Sequence, residues 1–173
     1  FTNGTTYKKP TGLTAKYGQT LTDVKLSNPA GNLDGEWSWM DSTVSVGNAS
    51  TTAKTFKAKF TPKDIENYNT VENIELEVAV NQADGSNLKT VDLTQKYTDT
   101  SEHTYTPDWS GLPKGQKWSY NSEYSVSTGS TATLTKQDFA ADGSLLTYAI
   151  SGGKAGDKIT VTLKASCSNY KDY

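Results

Sequence analysis

Arginine is absent from this 173-residue chain, so every positive charge is a lysine. A surface that grips phosphates or carboxylates ordinarily uses arginine's planar, two-pronged guanidinium, and its absence argues against a nucleic-acid or polyanionic partner. A formal net charge of −2 points the same way. There is one cysteine, Cys167, which rules out an intrachain disulfide and a multi-thiolate metal site. One histidine, His103, rules out a multi-histidine centre. No apolar run approaches the ~20 residues that a membrane-spanning helix needs, so no membrane insertion is expected of these residues. The chain opens at Phe1 without a methionine or a leader pattern and closes on "CSNYKDY", and it reads as a piece of something longer.

What is present is alternation. With 34% hydrophobic and 21% charged residues, the composition is that of a globular protein. "LTAKY" (13–17) places Leu13, Ala15 and Tyr17 on one face. "FKAKF" (56–60) sets Phe56, Ala58 and Phe60 against Lys57 and Lys59. "IELEVAV" (74–80) sets Ile74, Leu76, Val78 and Val80 against Glu75 and Glu77. A period of two signals strands with one packed and one hydrated face. Turn clusters separate them, as in "SNPAGNLDG" (27–35) and "GNAS" (47–50). The one candidate helical turn is "PKDIENY", where Pro62 opens it and Asp64 and Glu66 suit its first turn.

The apolar pattern lapses near Gln82–Gly85 and then restarts. Further strands are expected in "KTVDLT" (89–94), "KWSYNSEYSV" (117–126), "TATLTK" (131–136), "LLTYAI" (145–150) and "DKITVTLKASCS" (157–168). The expected architecture is all-β, with two small tandem immunoglobulin-like β-sandwich domains at 1–83 and 84–173, each of about seven short strands. The second reads as truncated at its C-terminal edge.

Chemistry-bearing patterns are few. His103 sits in the polar segment "DTSEHTYTP" without a nucleophile-elbow serine, and reads as a surface histidine. Cys167 continues the alternation of a core strand and reads as packing. Asp138 and Asp142 could be cast as a glycosidase pair, but they read as turn residues, and both "ADGS" stretches (83–86 and 141–144) as Asp-Gly turns. Asn3 and Asn48 match the glycosylation sequon. A lysine–asparagine isopeptide crosslink would need a core-facing lysine, whereas Lys57, Lys59 and Lys164 alternate outward. No catalytic residue, metal site or cofactor is indicated.

Two aromatic features bear on function. "GEWSW" (35–39) puts Trp37 and Trp39 on the same face of a strand, as core or as a stacking platform for a sugar ring. A small domain needs its large aromatics inside, because it buries only ~60% of the surface its unfolded chain exposes. The core reading is therefore preferred. Trp109 lies in the Pro/Gly loop "TPDWSGLPKG" (106–115) beside Tyr105, where a tryptophan can pin the loop or contact a ligand. If the chain binds a glycan, Trp109 and Tyr105 are the candidate residues.

The ordered motifs "PTGLTAKYGQTLTDVKL" (10–26), "GEWSWMDSTVSVGNA" (35–49) and "FKAKFTPKDIENYNTVENIELEVAV" (56–80) resemble a tandem immunoglobulin-like β-repeat of large cell-surface proteins and adhesins of gut Firmicutes. "GGKAGDKITVTLKASCSNYKDY" (152–173) is similar to the end of another repeat found in such proteins. The resemblance implies an extracellular, cell-wall-attached or secreted module of a Gram-positive bacterium, without catalytic residues. Its partners would be neighbouring repeats of the same parent protein and, in the alternative of a carbohydrate-recognition module, host or dietary glycans.

Overall fold

The structure is a computed structural model that describes residues 7–173. The chain is all-β, its several sheets consistent with a β-sandwich architecture, and it divides into two compact units, one ending at Ala83 and one running Asp84–Tyr173.

The first unit is built on one four-stranded sheet. Its strands are β1 (Leu13–Lys16), β2 (Gly35–Trp39), β3 (Lys54–Pro62) and β4 (Val71–Asn81), in the order β1-β4-β3-β2. β2, β3 and β4 pair antiparallel, whereas β1 lies parallel to β4 with Leu13 opposite Val78 and Lys16 opposite Asn81. The alternation read from the sequence sets the two faces. Ala58, Phe60, Ile74, Leu76, Val78 and Val80 are buried, while Lys57, Glu75 and Glu77 are in water. Lys57 stands directly across from Glu75, an opposite-charge pair on the hydrated face.

Among the described residues, loops rather than a second sheet cover the buried face of this unit. Residues 19–24 and 42–46 are stitched together by Leu21 N–H donating to the Val44 carbonyl (3.0 Å) and Val46 N–H to the Gln19 carbonyl (3.1 Å). They bring Leu21, Val24 and Val46 down onto the sheet. A 3-10 turn, Leu21–Asp23, lies in the first of them. The pairing slips between Ala58 and Phe60, where Asn73 takes a left-handed φ of 57°. Asparagine tolerates that conformation better than a branched residue would.

The second unit holds β5 (His103–Tyr105), β6 (Ser119–Val126), β7 (Thr133–Phe139), β8 (Leu146–Ser151) and β9 (Ile159–Ser166). They form a three-stranded sheet, β5-β8-β7, and a β6-β9 ribbon. Tyr173 and Ala165 exchange both backbone hydrogen bonds (2.9 and 3.0 Å), so the last residues return alongside β9.

Among the described residues, four strands and five replace the seven expected for each domain. "KTVDLT" is not a strand, and Val91 and Leu93 are exposed at 38% and 59%. Its short alternation has no pleated neighbour to pair with, so period alone does not make it a strand. "PKDIENY" closes a single turn, with Tyr68 N–H donating to the Asp64 carbonyl (3.1 Å), rather than a helix. No helix among the described residues is long and apolar enough to cross a membrane.

Candidate functional site

The "GEWSW" pair resolves into core. Trp37 and Trp39 are each 8% exposed. Trp37 faces Phe60 across β2–β3 with ring centroids 5.3 Å apart, and its indole N–H donates to Asn28 Oδ1 (3.2 Å). Trp39 stands opposite Ala58, whose small side chain leaves room for the indole, and packs edge-on against Phe56 at 6.4 Å. Its N–H donates to the buried Val24 carbonyl at 2.8 Å. Both rings thus use their apolar faces and their one polar group inside the first unit.

The loop at 106–115 is organised by two tryptophans of the second unit. Asp108 Oδ1 accepts from the Ser110 N–H (2.9 Å), and Leu112 N–H donates to the Trp109 carbonyl (3.0 Å), which folds the loop tip into successive turns. Trp109 is half-buried, rests on Tyr120 at 5.1 Å, and donates its indole N–H to the Gly143 carbonyl (2.9 Å). Gly143 belongs to the Asp-Gly turn joining β7 to β8, where its N–H meets the Ala140 carbonyl at 2.8 Å. Its φ is +74°, and a Cβ there would come within 2.6 Å of the Tyr120 ring. Trp109, Tyr120 and Gly143 are therefore one packed corner, in which the loop tryptophan pins its loop. At the loop's far side Trp118 N–H donates to the Pro113 carbonyl (3.3 Å).

Tyr105 is placed elsewhere. It is half-buried on β5 opposite Leu146, and the ring partner of Trp109 is Tyr120, not Tyr105. The sequence reading missed a second aromatic group: Trp118 lies 6.1 Å from Tyr170 and 5.6 Å from Tyr173, and the two tyrosines are 6.2 Å apart. All three rings are half-buried. The spacing of "NYKDY" was the available signal, but the fold-back that brings Tyr173 to Trp118 is not written in local pattern.

His103 has the company of a serine and an aspartate without the geometry of a triad. Ser101 Oγ donates to Asp99 Oδ1 (2.5 Å), while His103 Nε2 lies 3.0 Å from Asp99 Oδ2 and 3.4 Å from Ser101 Oγ. An activating histidine uses one ring nitrogen for the serine and the other for the carboxylate. Here a single nitrogen meets both, and the serine proton is held by the aspartate, which makes the group a clasp on the turn before β5. The His103 ring also stacks on Tyr148 at 5.7 Å. The serine O–H and N–H hold the Asp99 carboxyl below the ordinary carboxylate range. The same Asp-x-Ser/Thr clasp lowers Asp41 through Thr43 and Asp142 through Ser144. Asp142 is thus engaged in its own turn.

Cys167 is half-buried. Among the described residues no lysine is buried and no group of three or more histidine, cysteine, aspartate or glutamate side chains could hold a metal ion. The isopeptide reading therefore lacks its core-facing lysine. Lys54, the lysine most drawn into a loop, donates instead to the Val46 and Asn48 carbonyls (3.0 and 2.5 Å). Asn48 is exposed, and Asn3 lies outside the described residues. No family model, no curated protein and no solved structure matches the chain.

Proposed function

We propose that the chain is a non-catalytic structural or spacer module of a bacterial cell-surface or secreted adhesin-like protein. The observation that carries this reading is the inward commitment of its tryptophans. Trp37 and Trp39 have both ring faces and N–H groups engaged in the first unit's core, and the indole N–H groups of Trp109 and Trp118 are spent on backbone carbonyls of their own unit. A domain that spends its largest side chains on holding loops to strands is built for persistence of shape. An extracellular setting, cell-wall-attached or secreted, and neighbouring repeats as partners follow from the repeat-like motifs of residues 10–80.

Carbohydrate recognition is the competing reading, favoured by the half-exposure of Trp109 and Tyr105. Stacking a sugar needs an open ring face. A broad glycan array probed with the wild-type chain and with Trp109→Ala separates the two. The spacer reading expects no saturable binding by either. Binding by the wild type that disappears in a folded Trp109→Ala variant replaces it with a glycan-binding module.

A further inference from the structure

We infer that the parallel β1–β4 ladder is a mechanical clamp that makes the first unit a load-bearing element. The use of such a clamp rests on the spacer reading, although the geometry does not. Tension on a module within a longer chain enters through its two chain ends. In the first unit one end leads directly out of β4, and the other reaches β1 through residues 7–12. There Lys8 N–H donates to Asn32 Oδ1 (2.7 Å) and the Asn32 amide donates to the Lys8 carbonyl (2.8 Å). Once that anchor gives way the load passes to β1, the hydrogen-bonded neighbour of β4. Because the two strands run parallel, the pull on the start of β1 and the pull on the end of β4 point in opposite directions along one strand axis. The ladder is loaded in shear.

Shear and peeling break a ladder differently. A parallel ladder of four registered residues, Leu13–Lys16 against Val78–Asn81, carries roughly four slanted hydrogen bonds. In shear they resist together and must fail together. When a strand is peeled sideways, they are loaded one at a time. Tyr17 N–H adds a bond to the Asn81 carbonyl at 2.9 Å, just past the last registered pair. Packing reinforces the bonds, since Ala15 is 4% exposed and Val78 and Val80 are at 0% and 1%. A slip of one residue would turn Ala15 out of the core, so sliding cannot proceed by small steps that re-pair along the way. β4 is held on its other edge as well: Lys54 pairs with Val78, and Ser50 N–H donates to the Val80 carbonyl at 3.0 Å. Load on β4 is thereby shared with the sheet interior, leaving the β1 ladder as the point of failure.

The second unit lacks this arrangement. Its first strand, β5, and its last, β9, belong to different sheets, so no ladder joins them. The clamp is a property of the first unit's topology and not of β-structure in general.

Single-molecule force spectroscopy on the full chain tests the clamp while keeping its backbone hydrogen bonds, since of the ladder residues only the exposed Asn81 side chain is changed. In a Cys167→Ser background, tethers are attached through Thr11→Cys and Asn81→Cys, which loads the ladder in shear. They are attached in a second protein through Thr11→Cys and Glu77→Cys. Thr11 and Glu77 line one shallow depression at the start of β1, so that pair peels β1 from its first residue. All three tether positions are exposed. The enclosed lengths, 70 and 66 residues, release nearly equal contour on unfolding, about 25 and 23 nm at full extension. The shear pair is expected to unfold at about two to four times the force of the peeling pair, the range set by how many of the roughly four bonds share the load. Equal forces in the two geometries overturn the clamp. Glycan binding in the array experiment overturns the spacer reading instead, and would leave the force ratio untouched.

Discussion

Replacing Trp39 by alanine tests the central packing claim of the first unit. The indole is 92% removed from solvent by an exposure of 8%, stands opposite Ala58, packs on Phe56 and donates to the Val24 carbonyl. Truncating a buried aromatic to alanine costs about 3–5 kcal/mol, because the neighbours collapse only partly into the void. Ala58 cannot fill it, being smaller than the residue it faces. A unit of this size has a total stability of about 4–12 kcal/mol. Trp39→Ala is therefore expected to remove a large share of the first unit's stability and to leave the second unit unchanged. Trp39→Phe keeps most of the ring but strands the Val24 carbonyl, with an expected cost of about 1–3 kcal/mol. Urea unfolding followed by amide NMR signals separates the units, with Phe60, Leu76 and Val78 reporting the first and Leu134 and Ala165 the second. The reasoning is refuted if Trp39→Ala moves the first-unit transition by no more than a surface substitution does, about 0.5 kcal/mol.

At the loop corner, Gly143→Ala combines a left-handed φ with a Cβ pressed against Tyr120, and is expected to cost about 2–4 kcal/mol in the second unit. Gly129→Ala shares the left-handed φ at +78° but meets open space, so it should cost only the backbone part, about 1–2 kcal/mol; equal losses in the two variants would refute the Tyr120 contact. The aspartate clasps predict an acid-side dependence. Asp41, Asp99 and Asp142 are held below the ordinary carboxylate value in the folded chain, so their contribution is complete above the unfolded value near 3.9 and is lost as pH falls through the lower folded one. Side-chain carboxyl NMR titration should show all three midpoints below that of an aspartate in an unstructured chain, and ordinary midpoints would refute the clasps.

Much of the first unit was legible because its strands carry a complete period of two. "FKAKF" and "IELEVAV" name their own buried and hydrated faces, and every residue of Ile74, Leu76, Val78 and Val80 is buried as the alternation requires. "KTVDLT" shows the limit of the same signal, since Val91 and Leu93 alternate but are exposed. The Asp-Gly turn at 142–143 was legible too, because its chemistry is local. The same residues at 84–85 do not form the expected turn: there the chain runs on without one, since an Asp-Gly pair permits a turn and does not impose it. Trp109 was ambiguous for a physical reason: its two partners, Tyr120 and the Gly143 carbonyl, come from other elements of the unit, and no local pattern announces them.

The sequence by itself determined the all-β class and the inward face of the long strands β3 and β4 of the first unit. These follow from composition and from the geometry of a pleated chain, in which neighbours point to opposite sides. Only the tertiary structure decided that β1 lies parallel to β4, that among the described residues loops rather than a second sheet cover the first unit's core, and that Trp109 and Trp118 pin one loop from its two sides. Strand order, parallel direction and loop anchoring depend on which distant surfaces bury each other best, and that choice is made by contacts between residues far apart in the chain.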